Sequence, residues 1–253
     1  MALRPAFFLV LTASAVLPAA AQTQPSAKPP AAQMPRKVAV VVIDPAHGGS
    51  DTGARGSGGT LESEVVVDFG RAIRVALEAK GFRVVLTREG NQSPSFDDRS
   101  AAVNGLTEAV LVTLHVSSTG APGTVRAYFG SISATVPQSP PAAGQTPPRR
   151  PAGLLPWDRA QEPYLDLSQR LAELAQIQLA QRFQGSPEMP SSASLRQLRT
   201  VAAPAIAIEV SNVTLDAAKL SQMGQPLGEA LARALGAFQQ MLAGDAAEPV
   251  AER

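Results

Sequence analysis

The chain contains no cysteine, and only two histidines occur in its 253 residues. The missing thiols exclude disulfides, a lipid-modified N-terminal cysteine, a thiol nucleophile and any thiolate metal site. Long apolar runs are missing as well. Phe7 to Leu17 is too short for a membrane span, which needs about 20 residues, and no later segment qualifies. Charge of one sign is not in excess either: 22 Lys and Arg stand against 21 Asp and Glu, scattered along the chain. The clustered basic footprint of a nucleic-acid binder is therefore absent. There is no internal repeat.

What is present begins with an N-terminal stretch that reads as a secretory signal over residues 1–21. Arg4 supplies the positive start, Phe7 to Leu17 the short apolar core, and Ala19-Ala20-Ala21 a small-residue cleavage site. This implies a periplasmic or secreted protein. Residues 22–36, rich in Pro, Gln, Ser and Ala, read as a flexible linker.

From residue 37 to 243, apolar runs alternate with helical patterns. Val38–Ile43, Phe82–Thr87, Ala109–His115, Thr124–Phe129 and Ala205–Ile208 read as strands. Val65–Ala79, Asp97–Asn104, Leu165–Phe183 and Pro226–Leu242 read as helices, the third with an apolar stripe through Leu167, Leu171, Leu174 and Ile177. The alternation predicts a single α/β domain: a twisted, mixed, mostly parallel sheet of about six strands with helices on both faces. Residues 133–163 hold eight prolines and are expected to form an extended surface loop inserted in this order. Residues 244–253 are expected to be a disordered tail.

Both histidines fall at predicted strand ends, where open α/β sheets bind their ligands. His47 follows the first apolar run, in Asp44-Pro45-Ala46-His47-Gly48-Gly49, and His115 ends Ala109-Val110-Leu111-Val112-Thr113-Leu114-His115. Imidazole is both the commonest metal ligand and the usual proton shuttle near neutral pH. A glycine-rich loop runs from Gly48 to Thr60 and leads to Glu62 at the start of the next helix. It lacks the Walker spacing with its lysine and the GxGxxG pattern, which weakens a phosphate-binding reading. Two imidazoles and a carboxylate make a common catalytic zinc set with a fourth position left open. Glu62 is equally explained as an N-terminal helix carboxylate favoured by the dipole, and Glu64 competes for the same role. Glu209 follows the apolar strand Ala205–Ile208. A carboxylate there is placed for partial desolvation and general-base work, although strand-end acids more often face solvent.

Asp44-Pro45-Ala46-His47-Gly48-Gly49, Asp51, Gly53-Ala54 and Glu62 resemble the opening of the zinc-dependent N-acetylmuramoyl-L-alanine amidases. Leu86-Thr87-Arg88, Arg99 with Asn104, His115, Leu198-Arg199, and Pro204-Ala205 leading into Glu209 are similar to the same family, in order, over about Val38 to Leu242. The resemblance implies that His47, Glu62 and His115 bind one Zn2+ and that Glu209 is the catalytic carboxylate. It implies hydrolysis of the amide joining N-acetylmuramic acid to L-alanine in peptidoglycan. Stem peptide and glycan would be its partners, with wall targeting supplied by the domain, the Pro-rich insertion or a regulatory protein.

Three stretches depart from the family pattern: Ala46 stands for glycine, Val116-Ser117-Ser118 for Ala-Asn, and Val210-Ser211-Asn212 for Gly-Phe. They keep alive a second reading, a catalytically impaired domain that binds peptidoglycan or a wall-enzyme partner. A zinc peptidase acting on protein is a third. Arg88 and Arg199 are candidates to hold stem-peptide carboxylates through bidentate contacts. Arg99 is expected in a surface ion pair, and Asp44 either orients a histidine or bonds a turn. Trp157, the only tryptophan, is expected to pack the insertion down or to stack on a sugar.

Overall fold

The computed structural model describes residues 34–56, 58–131, 156–211 and 217–247. The expected signal segment, most of the linker, the bulk of the Pro-rich insertion, Asn212 and residues 248–253 lie outside them.

Six strands form one sheet: β1 Val40–Pro45, β2 Arg83–Leu86, β3 Ala109–Ser117, β4 Val125–Gly130, β5 Ser191–Ala193 and β6 Ala205–Ser211. Their order is β2-β1-β3-β6-β4-β5. The pairs β2/β1, β1/β3, β3/β6 and β4/β5 are parallel, and β4 runs antiparallel to β6. The central strands read as near-continuous apolar runs because both faces are covered.

One face, with Val41, Ile43, Val110, Val112 and Leu114, packs on helices α1 Glu62–Glu78, α3 Leu165–Arg182 and α5 Ala217–Ala247. The other, with Val40, Val42, Leu111, Ala205 and Ala207, is capped by the shorter α2 Phe96–Asn104 and α4 Arg196–Arg199. Fully buried Phe69, Leu171, Ile206 and Phe238 each contribute about 1.5–3 kcal/mol relative to an exposed position. The helix α2 starts with a capping box, Ser95 accepting from the Asp98 N–H while the Asp98 side chain accepts from Ser95. Among the described residues no helix is long and apolar enough to cross a membrane.

Several expected boundaries move. The strands β1, β3 and β6 run past their apolar cores because pairing continues through Asp44↔Thr113, His115↔Glu209 and Ser117↔Ser211. His115 and Glu209 are therefore inside paired strands rather than at their ends. The closing helix begins at Ala217, not Pro226, and reaches Ala247, so residues 244–247 are not a disordered tail. Burial of Leu220 against the core outweighs the interior proline. The stripe on α3 passes through Leu167, Leu171, Ala175 and Leu179; Leu174 is only partly buried and Ile177 is exposed. The described end of the insertion forms two 3-10 turns, Trp157–Arg159 and Glu162–Tyr164, with Gln161 fully buried between them. The three-residue strand β5 and the four-residue helix α4 carry no signal of their own in the sequence.

Candidate metal centre and adjacent cleft

The first turn after β1 sets the geometry. His47 has φ 66, a left-handed conformation that is uncommon for any residue but glycine. Two buried arginines fasten this turn. Arg88 donates to the carbonyls of Pro45, Ala46, Ser63 and Gly90. Arg99 donates to those of Pro45, His47 and Pro94 and pairs with Asp44 at 2.6 Å. Asp44 is buried and also accepts from the hydroxyls of Thr87 and Thr113.

These contacts correct three expectations. Arg88 is 3% exposed with its guanidinium committed to backbone, so it does not fit the role of holding a stem-peptide carboxylate. Arg99 is in a buried ion pair rather than a surface one. Asp44 bonds Arg99 rather than a histidine. Arg199, half-buried on α4, has no partner for its Nε among the described residues and does not line the cleft beside the histidines.

The glycine-rich loop brings Glu62 back to the histidines. The Glu62 N–H donates to Ala54 O at 2.9 Å, while the Ala54 N–H donates to Glu62 Oε2 at 2.8 Å. Oε1 lies 3.1 Å from His47 Nε2 and 3.0 Å from His115 Nδ1, and accepts from the Val116 N–H at 2.8 Å. The donor atoms of His47, Glu62 and His115 all lie within 4.8 Å of one another. Of the two glutamates, Glu62 is buried and converges with the histidines, whereas Glu64 is exposed.

Burial works against ionisation of Glu62. Bonds from His115, His47 and the two backbone N–H groups outweigh it and hold the carboxyl well below its usual range. The His47 imidazole is pushed up, first by its bond to Glu62; burial opposes this, and Asp51 adds to it. Asp51 accepts at His47 Nδ1, 2.9 Å away, and fixes the ring. Gly53, at φ +63, lies so close that a Cβ there would sit 2.5 Å from Glu62 Oε2 and 2.7 Å from His47 Cδ2.

Register places Glu209 beside His115 on the same sheet face. Glu209 is half-buried, and the Tyr128 hydroxyl donates to its Oε1 at 3.2 Å. Burial, and then the neighbouring carboxylate, push the Tyr128 phenol up, so it keeps its proton at neutral pH. Below His47 and His115 a cleft of about 250 Å³ extends over Asp44 and Thr113 to Ser95, Phe96 and Gln197. Trp157 is half-exposed, and the insertion it was expected to pack down lies mostly outside the described residues. Asp51, Tyr128 and Gln197 went unrecognised as site residues. Only Asp51, four residues beyond His47, offers a local signal; the other two are brought in by β4 register and by α4.

The donor set suits zinc: two imidazole nitrogens and an ionised carboxylate converge, each steadied by a further bond. Fold and site together define an α/β domain with a candidate metal centre at the carboxyl ends of its parallel strands, next to a carboxylate. The profile of the family described as N-acetylmuramoyl-L-alanine amidase matches residues 41–236, and the chain belongs to that family. It is 36% identical over 85 residues to the sporulation-specific N-acetylmuramoyl-L-alanine amidase of Bacillus subtilis, covering 33% of each chain. It is 43% identical over 60 residues to N-acetylmuramoyl-L-alanine amidase AmiA of Escherichia coli, covering 24% of this chain and 21% of that one. The aligned segments thus span a third or less of these relatives' own length.

Among solved structures, N-acetylmuramoyl-L-alanine amidase AmiC2 of Nostoc punctiforme superposes with a TM-score of 0.59 at 23% identity, over 82% of this chain and 99% of that one. The CwlD amidase of Clostridioides difficile, in complex with the GerS lipoprotein, superposes with a TM-score of 0.60 at 14% identity, over 80% of this chain and 98% of that one. At these identities the likeness establishes the shared fold.

Proposed function

We propose that this chain is an exported zinc-dependent hydrolase that cleaves the amide between N-acetylmuramic acid and L-alanine in peptidoglycan. The observation that carries the reading is the convergence of His47, Glu62 and His115 with Glu209 next in register, inside a span matched end to end by the amidase profile. His47, Glu62 and His115 would hold the zinc. When bound, zinc supplies a Lewis acid that polarises the amide carbonyl and makes water a competent nucleophile near neutral pH.

The chain's own groups do the rest. Glu209 accepts the proton of the attacking water and returns it to the leaving L-alanine amine. The Tyr128 hydroxyl orients that carboxylate, and Asp51 keeps the His47 ring turned with Nε2 towards Glu62. Ala46, where glycine is usual in the family, is buried and outside the positive-φ region, so its Cβ costs the turn nothing. Peptidoglycan glycan and stem peptide are the partners in this reading.

The test is mass spectrometry of muropeptides incubated with the zinc-loaded protein. Release of intact stem peptides from muramic acid, lost in Glu209→Ala, supports the amidase. Zinc retention without release in the unsubstituted protein would instead assign a binding module. Export is checked by fractionation, the exported form starting after Ala21.

A further inference from the structure

Beyond Glu209 the same sheet face carries a cation. His115, Glu209 and Arg126 stand in register on the neighbouring strands β3, β6 and β4, and residues opposite one another share a face. Opposite charges placed directly across an antiparallel pair ordinarily meet. Here they do not. The Tyr128 hydroxyl donates to Glu209, while Arg126 reaches towards the sheet edge and donates from Nη1 to Ser191 Oγ on β5 at 3.0 Å. The Arg126 Cζ lies 6.0 Å from the centre of the Tyr128 ring, a contact that steadies the cation without neutralising it.

The arginines that fasten the first turn are spent on the fold: Arg88 on carbonyls, Arg99 on carbonyls and Asp44. Arg126 is half-buried and has no carboxylate or carbonyl partner among the described residues. Its Nε and Nη2 have no partner there either, and neither atom is enclosed. One edge of the guanidinium therefore stays open, and such an edge matches a carboxylate through two parallel bonds.

The source of that carboxylate follows from the amide cleaved in the amidase reading, on which this inference rests. Muramic acid spends its lactyl carboxyl in that amide, so free carboxylates remain on the peptide side. Neighbouring strands lie about 4.8 Å apart, which puts β4 about 10 Å from β3 and its histidine. An extended peptide advances about 3.5 Å per residue, so a carboxylate about two residues beyond the cleaved bond reaches that far. We propose that Arg126 is a specificity-determining residue whose Nε–Nη2 edge pairs with a free carboxylate of the leaving stem peptide.

Calorimetric titration of the zinc-loaded Glu209→Gln protein, which lacks the base and binds without turnover, tests the proposal. The parent probe is N-acetylmuramoyl-L-alanyl-D-glutamic acid, with its α- and γ-carboxylates free. One analogue carries the α-carboxamide and the other the γ-carboxamide. At least one analogue is expected to bind about tenfold more weakly than the parent, the loss of a charge-assisted pair, and its identity names the carboxylate. Adding Arg126→Gln should weaken the parent by the same factor and make all three probes bind alike. A purely structural role for Arg126 would weaken the probes together and leave their ratios intact.

Should the Arg126→Gln protein fail to fold, the probe comparison with Arg126 in place still decides. Equal binding of all three probes with Arg126 present, or discrimination surviving in Arg126→Gln, overturns the assignment. Release of the dipeptide by the unsubstituted enzyme is read separately. Release without discrimination keeps the amidase and discards the role of Arg126, discrimination without release does the reverse, and no binding of the parent discards both.

Discussion

Replacing Gly53 by alanine perturbs the centre while leaving His47, Glu62 and His115 unsubstituted. The residue sits at φ +63, where a Cβ costs about 1–2 kcal/mol of backbone strain. That Cβ would also stand 2.5 Å from Glu62 Oε2, 2.7 Å from His47 Cδ2 and 2.9 Å from Glu62 Cδ. All three are closer than carbon atoms tolerate, so the carboxylate must move. Its movement breaks the bond from the Ala54 N–H, a charge-assisted one whose loss costs about 1.5–3 kcal/mol. The sum is about 2.5–5 kcal/mol of destabilisation in Gly53→Ala. Zinc affinity should fall about 10–100-fold, the usual effect of losing a bond that positions a ligand.

Gly59 supplies the control. It has φ +82, yet an added Cβ meets nothing within 4 Å, so Gly59→Ala should cost only the backbone strain, about 1 kcal/mol, and leave zinc affinity unchanged. Thermal denaturation and zinc competition against a chelator measure both variants. Equal effects at Gly53 and Gly59 would refute the reasoning, because backbone strain alone would then account for each.

Other expectations follow from the same geometry. Tyr128→Phe removes the bond to Glu209; steady-state kinetics should show kcat about tenfold lower with zinc content unchanged, and an unchanged kcat would dismiss the orienting role. Arg99→Met leaves Asp44 buried without its cation and should cost about 3–5 kcal/mol in denaturant unfolding; a loss under about 1 kcal/mol would mean the pair behaves as a surface one. The raised affinity of His47 for its proton sets the direction of a pH effect. Zinc must displace that proton, so zinc affinity should rise with pH through the raised His47 value, while Glu62 stays ionised. Chelator competition at pH 6 and pH 8 reads this directly, and equal affinities would contradict it.

The part of the centre that was legible in the sequence rested on scarcity and spacing. Two histidines, each close behind a β-rich apolar run, could be paired without knowing the topology, whereas the choice of Glu62 over Glu64 came only from the family resemblance. The parallel core was legible because strands covered on both faces lose their polar alternation. What could not be read depended on register or burial. Tyr128 reaches Glu209 only because β4 runs antiparallel to β6, with Arg126↔Glu209 opposite. Arg88 and Arg99 look like surface cations by residue type, and only the crowded carbonyls of Pro45, Ala46 and His47 explain why they are inside. Strand ends were misplaced for a related reason: Asp44, His115 and Glu209 are polar, but backbone pairing carries on through them. Pro226 read as a helix start because proline favours a first turn, whereas packing on α1 carries the helix back to Ala217.

The most direct test of the centre is its metal content. Native mass spectrometry of the purified protein should find one zinc per chain, retained in Glu64→Ala and lost in His47→Ala, Glu62→Ala and His115→Ala. Zinc retained in Glu62→Ala and lost in Glu64→Ala would contradict the assignment of the third ligand and the site built on it.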